Sequence, residues 1–143
     1  MDRKDWTTLV IDAAGPQGLS SVQLQKCLFL VGQSLPQADR LSFYQFVPYN
    51  YGPFSVSVYG DTEQLESAGL VSVVRSSFNG RATYMITPLG KERAKDIIAD
   101  ANGDTLAYLR TVVAWALPLS FAQIVKAIYV AYPAYQKNSV FQG

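Results

Sequence analysis

The residue types that most often perform catalysis or bind metal are nearly absent from this chain. It contains no histidine, and Cys27 is its only cysteine. A cysteine nucleophile would therefore lack an imidazole base, and a zinc site built from cysteine and histidine ligands cannot be assembled. Neither a glycine-rich P-loop ending in Lys-Ser or Lys-Thr nor a Gly-x-Gly-x-x-Gly turn occurs.

The carboxylates are the remaining candidates for acid–base chemistry, and they are scattered along the chain. We expect them to have solvation or helix-dipole roles, since many stand at or near predicted helix starts, where the dipole favours a negative charge, and the others face solvent; examples are Asp12, Asp61, Glu92 and Asp104. A pair of carboxylates brought together by the fold is the one catalytic alternative left open. We predict that the protein is not an enzyme and uses no metal or cofactor.

The composition is that of a folded protein, with 49% hydrophobic and 16% charged residues in 143. The formal net charge is only +1, so any nucleic-acid site has to be a local cluster of cations. No apolar run reaches the roughly 18 residues of a membrane span, and the start has no leader-like pattern. We expect a cytoplasmic protein that does not enter membranes, with Cys27 buried as a small hydrophobic residue.

Residues that bind a partner must be positioned by helices and strands. The stretch Tyr49–Leu70 is predicted to contain the central helix of the fold. Gly52-Pro53 is expected to turn into a helix, which Gly69 ends in a left-handed conformation. The helical spacing predicts an apolar face of Phe54, Val58, Leu65 and Ala68. The residues left for solvent or a partner are Ser55, Ser57, Asp61, Glu63, Gln64 and Glu66.

A β-hairpin is predicted directly after this helix. Leu70–Ser76 and Arg81–Thr87 are rich in β-forming residues and flank Asn79-Gly80, a strong hairpin-turn signal. A helix followed by such a hairpin is typical of a winged helix-turn-helix. The other predicted elements are helices over Asp2–Ala14, Ser21–Gln33, Pro88–Ala101 (capped by Thr87), Thr105–Ala116 (capped by Asp104 or Thr105) and Phe121–Tyr132 (capped by Ser120), a loop over Gln33–Arg40, and a strand over Leu41–Tyr49.

The predicted fold is therefore α+β. Residues 1–101 form a winged helix-turn-helix domain, and residues 102–143 form a C-terminal helical extension within the same globular unit. The last two helices have apolar residues on more than one side, which favours a homodimer formed by helix packing. The tail is expected either to fray or to dock through Tyr135 and Phe141.

The first function hypothesis is a DNA-binding regulator. Its candidate contacts are hydroxyls at the start of the central helix, polar residues of the hairpin and two lysines after it, namely Ser55, Ser57, Tyr59, Arg75, Asn79, Arg81, Lys91 and Lys95. Each has a structural alternative: Tyr59 is more often a core residue, and the cations also suit a solvated hairpin tip and helix face. A dimer would double these sparse contacts and suit a palindromic operator.

The rival hypothesis is a module that binds another protein. Aromatic residues are unusually dense between Phe43 and Phe54, and aromatic side chains are favoured at the centres of protein interfaces. Most of these are expected in the core. Any surplus exposed around Tyr49, Asn50 and Tyr51 would form a site for a toxin or for a second subunit.

Three strings resemble a known family: LQKCLFLVGQ (Leu24–Gln33), NYGPFSVSVYGDTEQLESAGLV (Asn50–Val71) and YMITPLG (Tyr84–Gly90). Their order is similar to that of the YwgA-like winged-helix proteins of bacteria and, more distantly, of the SocA-like antitoxins with a Panacea domain. The ending YVAYPAY (Tyr129–Tyr135) is similar to the YxxYPEY of this group, with Ala134 in place of the acidic residue. The resemblance implies a winged helix, no catalytic residues, and a DNA-binding regulator or toxin-neutralising partner, often encoded near bacterial defence genes.

Overall fold

The computed structural model describes residues 1–142, and within them the fold is α+β. The helices are α1 (Arg3–Ala13), α2 (Ser21–Ser34), α3 (Gln37–Arg40), α4 (Val56–Ser67), α5 (Pro88–Asp100), α6 (Gly103–Ala116) and α7 (Phe121–Ala131). The strands are β1 (Leu19–Ser20), β2 (Val47–Tyr49), β3 (Gly52–Phe54), β4 (Val71–Arg75) and β5 (Ala82–Ile86). Two short 3-10 turns cover Gly15–Gln17 and Pro133–Gln136.

The strands form two small antiparallel sheets. The larger has the order β1-β5-β4, in which β4 and β5 are the predicted hairpin and pair from Val71 opposite Ile86 to Arg75 opposite Ala82. β1 adds to the other edge of β5. The smaller sheet is the hairpin β2–β3, with Val47 opposite Phe54. Sequence periodicity missed β1 and β3 because strands of two or three residues are too short to show alternation.

Local capping explains where most helices begin. The Ser20 and Ser120 hydroxyls accept from the backbone N–H groups of Gln23 and Gln123, whose side chains accept in return from the cap backbone. The predicted caps Thr87 and Ser120 are confirmed. The predicted cap of α6 is wrong: the Asn102 side chain accepts from the N–H groups of both following candidates, and so caps the helix itself.

Helix α2 is the centre of the core. Its residues Leu24, Cys27, Leu28, Phe29 and Val31 are fully buried, and α1, α6 and α7 pack around it. Of the two alternatives expected for the tail, fraying or docking, the structure shows docking. The Tyr135 ring lies 4.8 Å from that of Phe29, and Phe141 lies 6.1 Å from Phe121.

The segment before the central helix differs from the prediction. Only Val47–Tyr49 of the expected strand is extended, and the expected loop contains α3. Gly52-Pro53 does not start the helix but lies in β3, because Gly52 has φ +99°, which no right-handed helix accommodates. The helix therefore begins only at Val56, after Ser55.

The buried face of α4 also differs from the prediction. Val58 and Leu65 are in the core as expected, but Ala68 is exposed and Asp61 is only 5% exposed. Asp61 is stable there because Arg3 pairs with it at 3.2 Å and the Tyr44 hydroxyl donates to it at 2.7 Å. Among the described residues, no helix has both the length and the apolar character needed to cross a membrane.

Candidate interaction site

A cleft of about 460 Å³ lies between α4 and the hairpin β4–β5, and we call it the hairpin cleft. It brings together three of the predicted DNA contacts, Tyr59, Arg75 and Arg81. Two acidic residues of α4, Glu63 and Glu66, line the same cleft. Its formal side-chain charge is therefore balanced, two cations against two anions.

A second opening of about 270 Å³ lies beside it, between α2, the hairpin β2–β3 and the start of α7, and we call it the aromatic cleft. Rings dominate its lining: Tyr49, Tyr51, Phe54, Tyr59 and Phe121. Ser21 and Tyr59 also line the hairpin cleft. A third cavity, lined by Arg81, Tyr51 and Phe121, borders both. Three of the predicted DNA contacts, Tyr59, Arg75 and Arg81, thus lie on one continuous face with the predicted partner residues Tyr49–Tyr51, around the start of α2.

The tyrosines of the aromatic cleft are half-exposed but held in place by other rings. Tyr49 is 50% exposed and stacks on Phe54 with ring centroids 4.9 Å apart, and Tyr51 is 42% exposed and meets Phe121 edge-on at 4.9 Å. Tyr59 also packs against Phe54, with ring centroids 5.7 Å apart, and burial raises the pKa of Tyr59. Ring packing of this kind reduces the entropy lost when such side chains bind a partner.

Two buried polar residues of α2 position the β2–β3 hairpin beneath this cleft. The Gln25 side chain donates to the Ser55 carbonyl at 2.9 Å and accepts from the Ser55 N–H at 3.0 Å, as a neighbouring strand would. Lys26 donates from Nζ to the Pro53 carbonyl at 3.1 Å. Sequence reasoning did not select either residue. The available signal was their position inside an otherwise apolar helix, where polar residues need partners.

The predicted DNA contacts are not all on the same surface. Ser55 was expected to face solvent or a partner, which is wrong: it is 4% exposed and its backbone is held by α2. Ser57 is partly exposed, and Asn79 is exposed with its side chain accepting from the Arg81 N–H. Lys91 and Lys95 are exposed on α5 and line neither cleft, and Lys95 pairs with Glu92 at 3.5 Å.

The predicted partner residues are brought together: Tyr49, Asn50 and Tyr51 all line the aromatic cleft. Asn50 also joins the hairpin to the tail, since its carbonyl accepts from the Val140 N–H at 3.0 Å. The tail therefore fixes the turn that presents the two exposed tyrosines. Its contribution to the site could not be read from the sequence pattern.

Lys26 provides a stability prediction. Burial lowers its pKa from 10.5 to about 8, so between these values the unfolded chain holds a proton that the folded chain has lost. Stability contributed through this group therefore rises with pH across that window. Lys26→Met removes the buried charge and is expected to stabilise the protein at pH 7 by about 2 kcal/mol, after allowing for the lost hydrogen bond.

Urea unfolding at pH 7 and pH 9.5 checks this prediction. The stability gap between Lys26→Met and the original protein should narrow at the higher pH, because the original chain then buries a neutral amine. Lys126→Met, which removes an exposed lysine of α7, should show the same small difference at both pH values. A gap that stays constant for Lys26→Met would contradict the buried-charge interpretation.

Cys27 is fully buried in α2, as predicted, and burial raises its pKa to about 12, which keeps the thiol protonated. Within residues 1–142, no three histidine, cysteine, aspartate or glutamate side chains are grouped so that they could hold a metal ion.

Comparison of the chain with models of known protein families and with characterised proteins finds no match. What this face binds is therefore inferred from its own residues.

Proposed function

We propose that the protein is a winged helix-turn-helix module with a C-terminal helical extension. The order α1, β1, α2, α4, β4, β5 and the sheet order β1-β5-β4 support this assignment. In it, α4 occupies the place of the recognition helix and the β4–β5 hairpin is the wing. The helix α3 and the hairpin β2–β3 are then insertions between the two motif helices, and they carry Tyr49 and Tyr51.

The function that this geometry favours is binding to another protein. The observation that carries the proposal is the charge and aromatic content of the face around α2. On α4, Glu63 and Glu66 are exposed and the helix carries no lysine or arginine, so phosphates in a DNA groove would be repelled by it. Next to it, half-exposed tyrosines are held rigid by ring contacts, as is typical of interface hot spots.

The biological role that fits best is an antitoxin-like or adaptor protein, in keeping with the sequence resemblance. Its partner would be a toxin or another product of a bacterial defence locus, docked on Tyr49, Asn50 and Tyr51. The chain would act without catalysis and without a cofactor. A homodimer is proposed through α6, on which Tyr108 and Trp115 are each 39% exposed.

Co-purification with the product of a neighbouring gene tests this proposal, followed by titration calorimetry on the complex. Tyr51→Ser is expected to weaken the complex about 30-fold, since an anchoring aromatic contributes about 2 kcal/mol to such an interface. The control is Leu89→Ser, which removes an exposed apolar side chain of α5 that lines neither cleft and lies outside the proposed dimer helix. Equal affinity of Tyr51→Ser and the original protein would contradict the proposed surface.

A DNA-binding regulator is the second candidate, and one observation favours it. Arg75 and Arg81 are both exposed at the turn end of the β4–β5 hairpin, and no carboxylate lies within 4.0 Å of either among the described residues. A homodimer would present two such hairpins to a palindromic operator. Gel shifts on the DNA upstream of its own gene distinguish the two. DNA binding predicts a salt-sensitive shift abolished by Arg81→Glu, whereas the protein-binding proposal predicts no shift at low salt.

A further inference from the structure

The buried lysine of α2 has fewer protein partners than its charge requires. Lys26 is 3% exposed, and its ammonium group has three N–H donors. Among residues 1–142 it makes one hydrogen bond, to the Pro53 carbonyl, and no carboxylate lies within 4.0 Å of it. A buried cation without a counter-ion is costly, so this position favours an anion that supplies the missing acceptors.

Lys26 is one of the residues that line the aromatic cleft, although only a small part of its surface is exposed. It lines the cleft together with Gly52, and a Cβ at Gly52 would come within 3.7 Å of the lysine Cε and 3.2 Å of the Tyr129 ring. A side chain at position 52 would therefore occupy the space beside the end of the lysine, which glycine leaves free. The other titratable side chains that line the cleft are Tyr49, Tyr51 and Tyr59, and none of the lining residues is acidic.

The size and lining of the cleft indicate what kind of molecule would carry this anionic group. Its volume of about 270 Å³ is just below the range of about 300–1,000 Å³ typical of pockets for drug-sized ligands, so the occupant is small. The rings of Tyr51, Phe121 and Tyr59 offer planar apolar surfaces, against which an aromatic ring packs well. A single ammonium balances the single charge of a carboxylate, whereas a phosphate carries about −1.5 to −2 at pH 7 and needs further cations or several backbone N–H groups.

We propose that the aromatic cleft is a binding site for a small aromatic carboxylic acid, with the carboxylate on Lys26 Nζ and the ring between Tyr51, Tyr59 and Phe121. This site goes beyond the proposed partner surface. It would couple acid binding to partner binding, since Tyr51 belongs to both surfaces. A bound acid would occupy the face on which the partner protein docks. The site itself depends only on the cleft, so it can be tested without a partner.

The test uses the full chain and a panel of benzoate, 4-hydroxybenzoate and phenylacetate, each followed by amide chemical-shift changes in NMR at pH 7. At least one acid should give saturable changes that map to Ser21–Lys26, Tyr49–Phe54 and Phe121, with a dissociation constant below about 10 mM. The neutral amide of that acid has the same shape without the charge, and should bind at least tenfold more weakly. Failure of all three acids to saturate would overturn the proposal.

Variants separate the charge from the shape of the cleft. Lys26→Met should lower the affinity for the acid at least tenfold. Lys26→Gln should lower it by as much while keeping a donor for the Pro53 carbonyl. Lys126→Met, in which an exposed lysine is removed, should bind as the original protein does. Equal binding of acid and amide, or unchanged binding in both Lys26 variants, would overturn the proposed role of the lysine. Because the partner is absent from this assay, its outcome is independent of the proposed function.

Discussion

Gly90→Ala is expected to lower the free energy of unfolding by about 3 kcal/mol, even though alanine favours helices by about 1 kcal/mol over glycine. Gly90 lies in the first turn of α5, where the helix crosses the end of α4 and the start of β4. A Cβ there would be 2.0 Å from the Leu70 carbonyl oxygen and 2.7 Å from the Ile86 side chain. The first of these contacts is with backbone, so the whole crossing would have to move.

Thermal or urea unfolding measures this effect, and Gly60→Ala is the matched control. Gly60 lies inside α4, and a Cβ there meets nothing within 4 Å, so this variant should be stabilised by about 0.5–1 kcal/mol. Opposite signs for the two substitutions would confirm that the close approach, and not helix propensity, requires Gly90. A neutral or stabilising Gly90→Ala would show that α5 does not pack this closely on Leu70.

Asp61→Ala is expected to cost about 2–3 kcal/mol of stability. Asp61 accepts from the Tyr44 hydroxyl at 2.7 Å, and because Tyr44 has only one hydroxyl hydrogen, Thr7 must donate to the Tyr44 oxygen, at 2.8 Å. Arg3 adds contacts to both carboxylate oxygens, at 3.2 and 3.3 Å. Removing the carboxylate leaves the Tyr44 hydroxyl without its acceptor inside the protein. The estimate stays below the full cost of breaking a buried ion pair because the Arg3 side chain is 38% exposed.

The control is Glu63→Ala, which removes an exposed carboxylate of the same helix and should change stability by less than about 0.5 kcal/mol. Urea unfolding of both variants at pH 7 provides the comparison. A double-mutant cycle with Tyr44→Phe should give a coupling of about 1 kcal/mol or more. Additive effects of the two substitutions would mean that the hydrogen bond between these residues contributes little to the fold.

Most features of the protein that depend on neighbours in the chain were predictable from the sequence, with the cap of α6 as an exception. The β4–β5 hairpin is where its Asn-Gly turn predicts it, the Thr87 and Ser120 caps are confirmed, and Cys27 is buried in the core of α2. Each depends on contacts within a few residues or on helical periodicity. The sequence also selected Tyr49–Tyr51 and the hairpin arginines as candidates, since exposed-type residues at turns are local features too.

The features that decide the candidate site involve residues far apart in the chain, and only the tertiary structure placed them. The sequence pattern predicts a free hydroxyl at Ser55. In the structure the side chain of Gln25, 30 positions earlier, holds the Ser55 backbone in the core. The helical spacing predicts that Asp61 faces solvent, but Arg3 and Tyr44 make its burial favourable.

The sequence by itself determined the existence of the six longer helices, the β4–β5 hairpin, and the candidates Tyr49–Tyr51, Arg75 and Arg81, because caps, turns and periodicity are encoded locally. Tertiary structure alone decided that Lys26 lies in an aromatic cleft and that Glu63 faces the same opening as Arg75 and Arg81. The physical reason is that the energy of a charge depends on which distant groups surround it, and the order of residues along the chain does not specify those neighbours.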